Sequence, residues 1–453
     1  MVLPLSEAMP VAARTTAGKM GRWMAVSLVV GNMIGSGIFL LPAALAPLGW
    51  NSALGWVLTI AGGLCLAATF AWLARAMPVA GGPYAYSAAA FGPLTAFLVT
   101  WSYWISLWIG NAAIAVAGVS YLGAFVPGLA AMQGGDALAA VVMIWALTLL
   151  NLRGARSAGG FQLVTTLIKI VPLVLVLALA GMALGSGEAS LPPLPGLGEA
   201  GGLQAGLVTA AATLTLWALL GLESATVPAD SIADPERNVP FATLVGTAIT
   251  GLLYLVTCSA IILLMPVEVV ANSAAPFADF VARFWAPGPA LAIAGFAAIS
   301  CIGALNGWIL VQAELPWAMA RDGTFPRWFA ATNSAGVPAR ALVVSSALMT
   351  VVMLLNFQSS AAEIFGFLLL IATCTSLFMY LVCMAAALVL RFNGSLASRR
   401  WLPPVAALAV LYSAWTIYGA GGEAVAWGLV LLALGLPAFY LFAALARGAA
   451  DPR

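Results

Sequence analysis

Val29-Val30-Gly31-Asn32-Met33-Ile34-Gly35-Ser36-Gly37-Ile38-Phe39 is the stretch on which the fold turns. It lies inside a long apolar run that begins at Arg22, yet Gly31, Gly35, Ser36 and Gly37 are poor helix formers, each Gly costing roughly 1 kcal/mol relative to Ala. By helical rise, Gly35-Ser36-Gly37 sits about 14 residues into the run, near the middle of a bilayer. An interruption there frees backbone N–H and C=O groups that must meet a ligand, water or other protein groups. The same small residues would also serve close helix packing, and at this segment alone both readings stay open. A second candidate runs from Leu214 to Thr226 and contains Gly221 and the carboxylate Glu223. Paired interrupted helices in corresponding positions point to a transporter site, and these two correspond if spans one to five and six to ten are related halves. The second part of a broken helix offers free N–H groups to a carboxylate, and the first part offers free carbonyls to an ammonium. An α-amino acid carries both groups.

Composition sets the context for this reading. Hydrophobic residues make up 63% of the 453 and charged residues only 7%, too few to cover a soluble globule of this size. Disorder is excluded by the high hydrophobicity, and nucleic-acid binding by a net charge of +2. With no His, the commonest general base and metal ligand are missing; neither an enzyme, a cofactor nor a metal is expected. The five Cys lie apart in apolar stretches and read as small buried hydrophobes.

Twelve apolar runs suit membrane spans, near 22–44, 53–75, 93–125, 138–152, 160–184, 203–229, 241–265, 287–319, 341–356, 362–390, 402–419 and 424–446. The fold class is therefore an all-α membrane protein with twelve transmembrane helices. Residues 1–21 form an N-terminal segment and 22–446 the transmembrane domain, divided into 22–184, 203–390 and 402–446, with a tail at 447–453. The connection 265–288 is expected to hold a short surface helix. With the N-terminus in the cytoplasm, every Lys and Arg except Arg283 and Lys169 falls on the cytoplasmic side, which by the positive-inside rule places both termini there.

A set of motifs in fixed order carries a resemblance. It comprises Gly31 through Pro42, Gly81-Gly82-Pro83-Tyr84-Ala85-Tyr86, Trp108-Ile109-Gly110-Asn111, Thr215-Leu216-Trp217, Gly221-Leu222-Glu223-Ser224-Ala225, Asp234-Pro235-Glu236-Arg237-Asn238-Val239-Pro240, Ala275-Pro276-Phe277, Gly307-Trp308 and Ala320-Arg321-Asp322-Gly323-Thr324-Phe325-Pro326. In these the chain resembles the amino acid–polyamine–organocation superfamily, and within it the bacterial basic amino acid/polyamine antiporters. The resemblance implies a five-plus-five inverted repeat with broken helices one and six, followed by two peripheral helices. It implies a substrate site lined by Asn32, Ile34, Ser36 and Gly37 from span one, and by Tyr103, Ser106, Leu107, Asn111 and Ile114 from span three. Trp217, Leu220 and Glu223 come from span six, Trp308 from span eight, and Phe365, Ala372 and Tyr380 from span ten. Leu107 and Ala372 are apolar where the arginine-specific pattern is small or polar, which argues against arginine itself. The Trp308 indole suits a cationic side chain, but it also packs a neutral one.

Two charges lie inside spans. An intramembrane ionisable group is a functional hypothesis by default. Glu223 is expected to be proton-linked, and Lys169, Tyr103, Phe365 and Tyr380 are grouped with it as gating or proton-linked positions. Lys169 lies mid-span in Gln162–Pro172, too deep to snorkel with ease. The superfamily resemblance implies an ammonium standing in for a bound sodium ion near the span-one break, and hence sodium independence. A fixed positive charge there also tilts the substrate away from cations. Glu314 and Glu363 are expected at the interface.

The sequence thus predicts a secondary transporter of amino acids or their amine products, an exchanger or proton-coupled carrier in a bacterial inner membrane. The basic amino acid/polyamine type leads, with a neutral amino acid permease as alternative. The expected partners are the small-molecule substrate, protons and the lipid bilayer, with a homodimer left open and nucleic acid excluded.

Overall fold

A chain in hydrocarbon must close its backbone hydrogen bonds internally, and the apolar runs do so as helices. The computed structural model describes residues 18–448, apart from 36, 127, 129–131, 133, 197–201, 274, 287–289, 357–361 and 398–399. The helices are α1 (Arg22–Met33), α2 (Gly37–Leu45), α3 (Trp50–Ala76), α4 (Gly82–Phe91), α5 (Pro93–Gly123), α6 (Gly135–Leu152), α7 (Ala155–Ser186) and α8 (Ala205–Trp217). They continue with α9 (Pro235–Leu264), α10 (Val267–Ala271), α11 (Pro276–Phe284), α12 (Ala290–Arg321), α13 (Ala339–Asn356), α14 (Ala362–Phe392), α15 (Leu402–Gly419) and α16 (Gly422–Gly448).

Among the described residues nine helices are long and apolar enough to cross a membrane, and ten if α1 and α2 count as one span bent by 45°. α8 and the apolar stretch Ala339–Leu355 of α13 are shorter. The chain is a multi-pass helical membrane protein.

In the apolar run at 203–229, α8 stops at Trp217, and residues 218–228 form turns that lead into a single 3-10 turn at Ala229–Ser231. Gly221 takes φ +110 there, a conformation that side-chain-bearing residues rarely adopt. The connection 265–288 holds two short helices: α10 lies at the surface, as expected, with Val267 and Val269 exposed, while α11 buries Phe277 and Phe280. Glu314 is 1% exposed, inside the bundle and not at an interface; Glu363 lies in α14, where its side chain falls outside the described residues.

The helix packing comes in exchanged pairs. α5 packs on α12, and α3 on α9. α1 packs on α9, while α8 packs on α3; α14 packs on α5, while α7 packs on α12. At the end where α1 begins, the Met20 N–H donates to Ser231 O at 2.8 Å and the Ala233 N–H to Met20 O at 2.9 Å. There too the Ala80 N–H donates to Asp230 Oδ1 at 3.1 Å, and Arg321 bridges to Asp230 Oδ2 at 3.3 Å. These contacts pin the segment after the second interruption to three neighbours.

Candidate functional site

α1 ends at Met33, and the Ile34 N–H caps it by donating to Val30 O at 2.9 Å. Beyond that point the carbonyls have no helix to continue into, and side chains from remote helices take them up. Lys169 Nζ on α7 donates to Gly31 O and Ile34 O at 2.8 Å each and to Ser300 O at 3.1 Å. Trp308 Nε1 donates to Asn32 O at 3.2 Å, and the Tyr254 hydroxyl to Met33 O at 2.8 Å. Ser300 Oγ donates to Ile34 O at 3.0 Å and Gly35 O at 3.2 Å. The freed carbonyls were expected to wait for a substrate ammonium. Five consecutive ones instead have protein donors, because an unpaired buried carbonyl is costly.

The second interruption is satisfied in the complementary way. Glu223, 1% exposed, accepts hydrogen bonds from the hydroxyls of Tyr103 on α5 and Tyr380 on α14. The backbone N–H groups of Gly221 and Glu223 also face this carboxyl, and the Gly221 N–H donates to the Tyr380 hydroxyl at 3.2 Å. A fixed ammonium thus sits on the carbonyls of one break and a fixed carboxyl on the N–H groups of the other. The two breaks touch directly where Asn32 Nδ2 donates to Ser224 Oγ at 2.9 Å.

Between them lies a cavity of about 290 Å³. Of the expected site residues, Asn32, Gly37, Ser106, Leu107, Asn111, Ile114, Trp217, Leu220, Trp308 and Ala372 line it. Ile34 does not: its side chain is fully buried elsewhere and only its carbonyl takes part. Tyr103, Glu223 and Tyr380 are absent from the wall and form the buried cluster already described. Ser36 lies outside the described residues, as does the side chain of Phe365.

The Trp217 ring covers Gly37 so closely that a Cβ there would lie 1.8 Å from it. Asn111 Nδ2 donates to Gln312 Oε1 at 2.8 Å, which leaves its carbonyl oxygen and its second N–H as groups it can offer the cavity. Apart from Asn32 and the hydroxyls of Ser106 and Ser376, the remaining wall is apolar, and among the described residues no carboxylate lines it.

Sequence reasoning passed over Gln162, Ser224, Tyr254, Ser300, Asn306, Gln312 and Ser376. One signal was available. Gln162, Thr165, Thr166 and Lys169 fall at helical spacings of three, four and seven from the first, and Ser300, Gly303, Asn306 and Gly307 at three, six and seven. Such stripes are one polar or small face on an otherwise apolar helix.

The cavity lies between the two interrupted segments, and the chain belongs to the amino acid permease family, whose model matches residues 20–443. That places it in the amino acid–polyamine–organocation superfamily, and it is a transporter and not an enzyme. Among its relatives is the putrescine transporter PotE of Haemophilus influenzae, 31% identical over 429 residues, which cover 92% of this chain and 96% of that protein. PotE of Escherichia coli is 30% identical over 436 residues, covering 93% and 96%. The cadaverine/lysine antiporter of Escherichia coli is 30% identical over 385 residues, covering 84% and 85%.

Proposed function

We propose that this chain is a sodium-independent exchanger of basic amino acids and polyamines, working by alternating access in a bacterial inner membrane. The observation that carries the reading is the cavity between the two interruptions, with Trp217 and Trp308 in its wall. Relatives named for putrescine and for cadaverine and lysine favour the basic class over a neutral amino acid permease. Two features fit a cationic side chain: an indole face at Trp308 and the carbonyl oxygen of Asn111. Lys169 argues less strongly against a cation than its charge alone suggests, since three carbonyl dipoles face its ammonium. Its place on the α1 carbonyls is where a sodium ion would otherwise sit, which supports sodium independence. Glu223, behind two tyrosines, is the proton-linked candidate, and Tyr103, Tyr380 and Phe365 are the gating candidates.

A twelve-span architecture, with both termini cytoplasmic, belongs to the same reading. Exchanging spans one to five with six to ten maps the α1–α9 contact onto α8–α3 and the α5–α14 contact onto α12–α7, as a five-plus-five repeat requires.

Counterflow in proteoliposomes tests the function. Vesicles loaded with unlabelled putrescine or lysine are expected to accumulate labelled external putrescine, equally in sodium and in choline, while leucine-loaded vesicles do not. Equal drive by internal leucine would favour the neutral permease, and absence of any trans-stimulation would overturn exchange.

A further inference from the structure

Four buried amides and one hydroxyl form a continuous chain through the protein. Asn151 Nδ2 on α6 donates to Asn306 Oδ1 on α12 at 3.1 Å. Asn306 Nδ2 donates to Gln162 Oε1 on α7 at 3.0 Å. Gln162 Nε2 donates to Asn32 Oδ1 on α1 at 3.5 Å and to Ser27 O at 3.4 Å. Asn32 Nδ2 donates to Ser224 Oγ at 2.9 Å. Every amide points the same way, each N–H donating to the next member of the chain, so their dipoles reinforce one another. None of the four amide residues is more than 4% exposed.

Two glycines make room for it. A Cβ on Gly307 would lie 1.9 Å from Asn32 Oδ1, and one on Gly31 would lie 2.1 Å from Gln162 Nε2. The backbone is thus bare at the two places where α1 must approach the amides most closely.

We propose that this chain is a polarised strut that fixes both interrupted segments against α6, α7 and α12, and that Gln162 and Asn306 are positioning residues whose hold on Asn32 is released and remade in each transport cycle. The seam is where the bonds are longest, at 3.4 and 3.5 Å from Gln162 to α1, while the links on either side are 2.9 to 3.1 Å. Asn32 lines the cavity, but both ends of its amide are already engaged by the protein. Cutting the chain at Gln162 therefore removes no substrate contact. It removes the register between the moving segments and their support, which belongs to turnover and not to binding.

The transport arm of the test rests on the exchange reading; a second arm does not. Gln162→Leu, reconstituted and normalised to monodisperse protein, is expected to lower the maximal rate of putrescine exchange about tenfold with KM within threefold. The double variant with Asn32→Ala is expected to be no slower than the slower single variant. Gln162→Glu keeps the acceptor for Asn306 but has no N–H for Ser27 or Asn32, and Gly307→Ala displaces Asn32 directly; both are expected to behave alike, which covers a failure of Gln162→Leu to fold.

In the second arm, hydrogen–deuterium exchange without substrate should show faster uptake at 30–35 and 218–224 in these variants, with 205–215 unchanged. A wild-type maximal rate, a rise in KM alone, multiplicative single effects or unaltered uptake at both segments would each overturn the strut. Wild-type protein that exchanges neither putrescine nor lysine would sink the functional reading and leave the uptake arm to decide.

Discussion

Replacing Lys169 by Met keeps a flexible apolar stem and removes only the ammonium. Three carbonyls then lose a donor, but not equally. Ile34 O keeps the Ser300 hydroxyl at 3.0 Å, and Ser300 lies well inside α12, where its carbonyl also belongs to the helical ladder. Gly31 O has no such reserve, because the Gly35 N–H that would close the next helical turn is turned to Met33 O at 3.0 Å. One orphaned buried carbonyl costs about 1–3 kcal/mol, and this is the expected loss of stability, read as a lowered unfolding temperature in detergent. Exchange is expected to fall with it, since the first interruption is no longer held. Lys169→Ala goes further and opens a hollow lined by the oxygens of Gly31, Ile34 and Ser300. If the ammonium replaces a sodium ion, sodium should restore this variant and choline should not. At a sodium concentration about 100-fold above its dissociation constant the recovery is about 2.7 kcal/mol. Wild-type stability and exchange in Lys169→Met would refute the claim that the ammonium holds the break, and a sodium response no larger than that to choline in Lys169→Ala would refute the replacement.

The wall of the cavity gives further expectations. Trp308→Leu should raise KM for putrescine and lysine about 2- to 30-fold, the loss of a cation–π contact of ~0.5–2 kcal/mol; unchanged KM values would remove the indole from substrate recognition. Gly37→Ala should abolish exchange while leaving the amount of folded protein near wild type, because its Cβ would lie 1.8 Å from the Trp217 ring and the ring must swing away; normal counterflow would show that ring position to be unimportant. Tyr103→Phe and Tyr380→Phe should each lower the unfolding temperature by the equivalent of about 1.5–3 kcal/mol, the worth of a hydrogen bond to a charged group. The double variant, which leaves Glu223 without a side-chain donor, should lose more than either single variant; a double variant as stable as wild type would mean that the tyrosines do not support the carboxyl.

The span positions were legible because a bilayer-crossing run must be apolar and long. The expected 402–419 coincides with α15, and most other ends differ by a few residues. α1 stops at Met33, just ahead of the Gly35-Ser36-Gly37 run that disfavours helix. The reach of the second interruption was not legible, because Ala218, Leu219 and Leu220 look as helical as the residues before them; the bend follows from Gly221 and from what Tyr380 and Glu223 hold. What least showed in the sequence was the satisfaction of the breaks. The donors to α1 come from Lys169, Tyr254, Ser300 and Trp308, on three helices far apart in the chain. No local pattern links the three helices to one another; Lys169 stood out because a charge in an apolar run is expensive, Trp308 only through the family resemblance, and Tyr254 not at all.

That the breaks satisfy themselves changes how binding must be argued. Bare peptide groups would favour a ligand by their full desolvation cost, but these carbonyls already have partners. A substrate ammonium at these carbonyls would therefore gain only by displacing a protein donor, and such an exchange is worth about 0.5–1.5 kcal/mol per hydrogen bond. Most of the binding free energy must then come from the apolar and indole walls around Leu107, Ile114, Trp217 and Trp308. A carrier gains from this arrangement. It can release its substrate on the far side without leaving these carbonyls unpaired in the membrane.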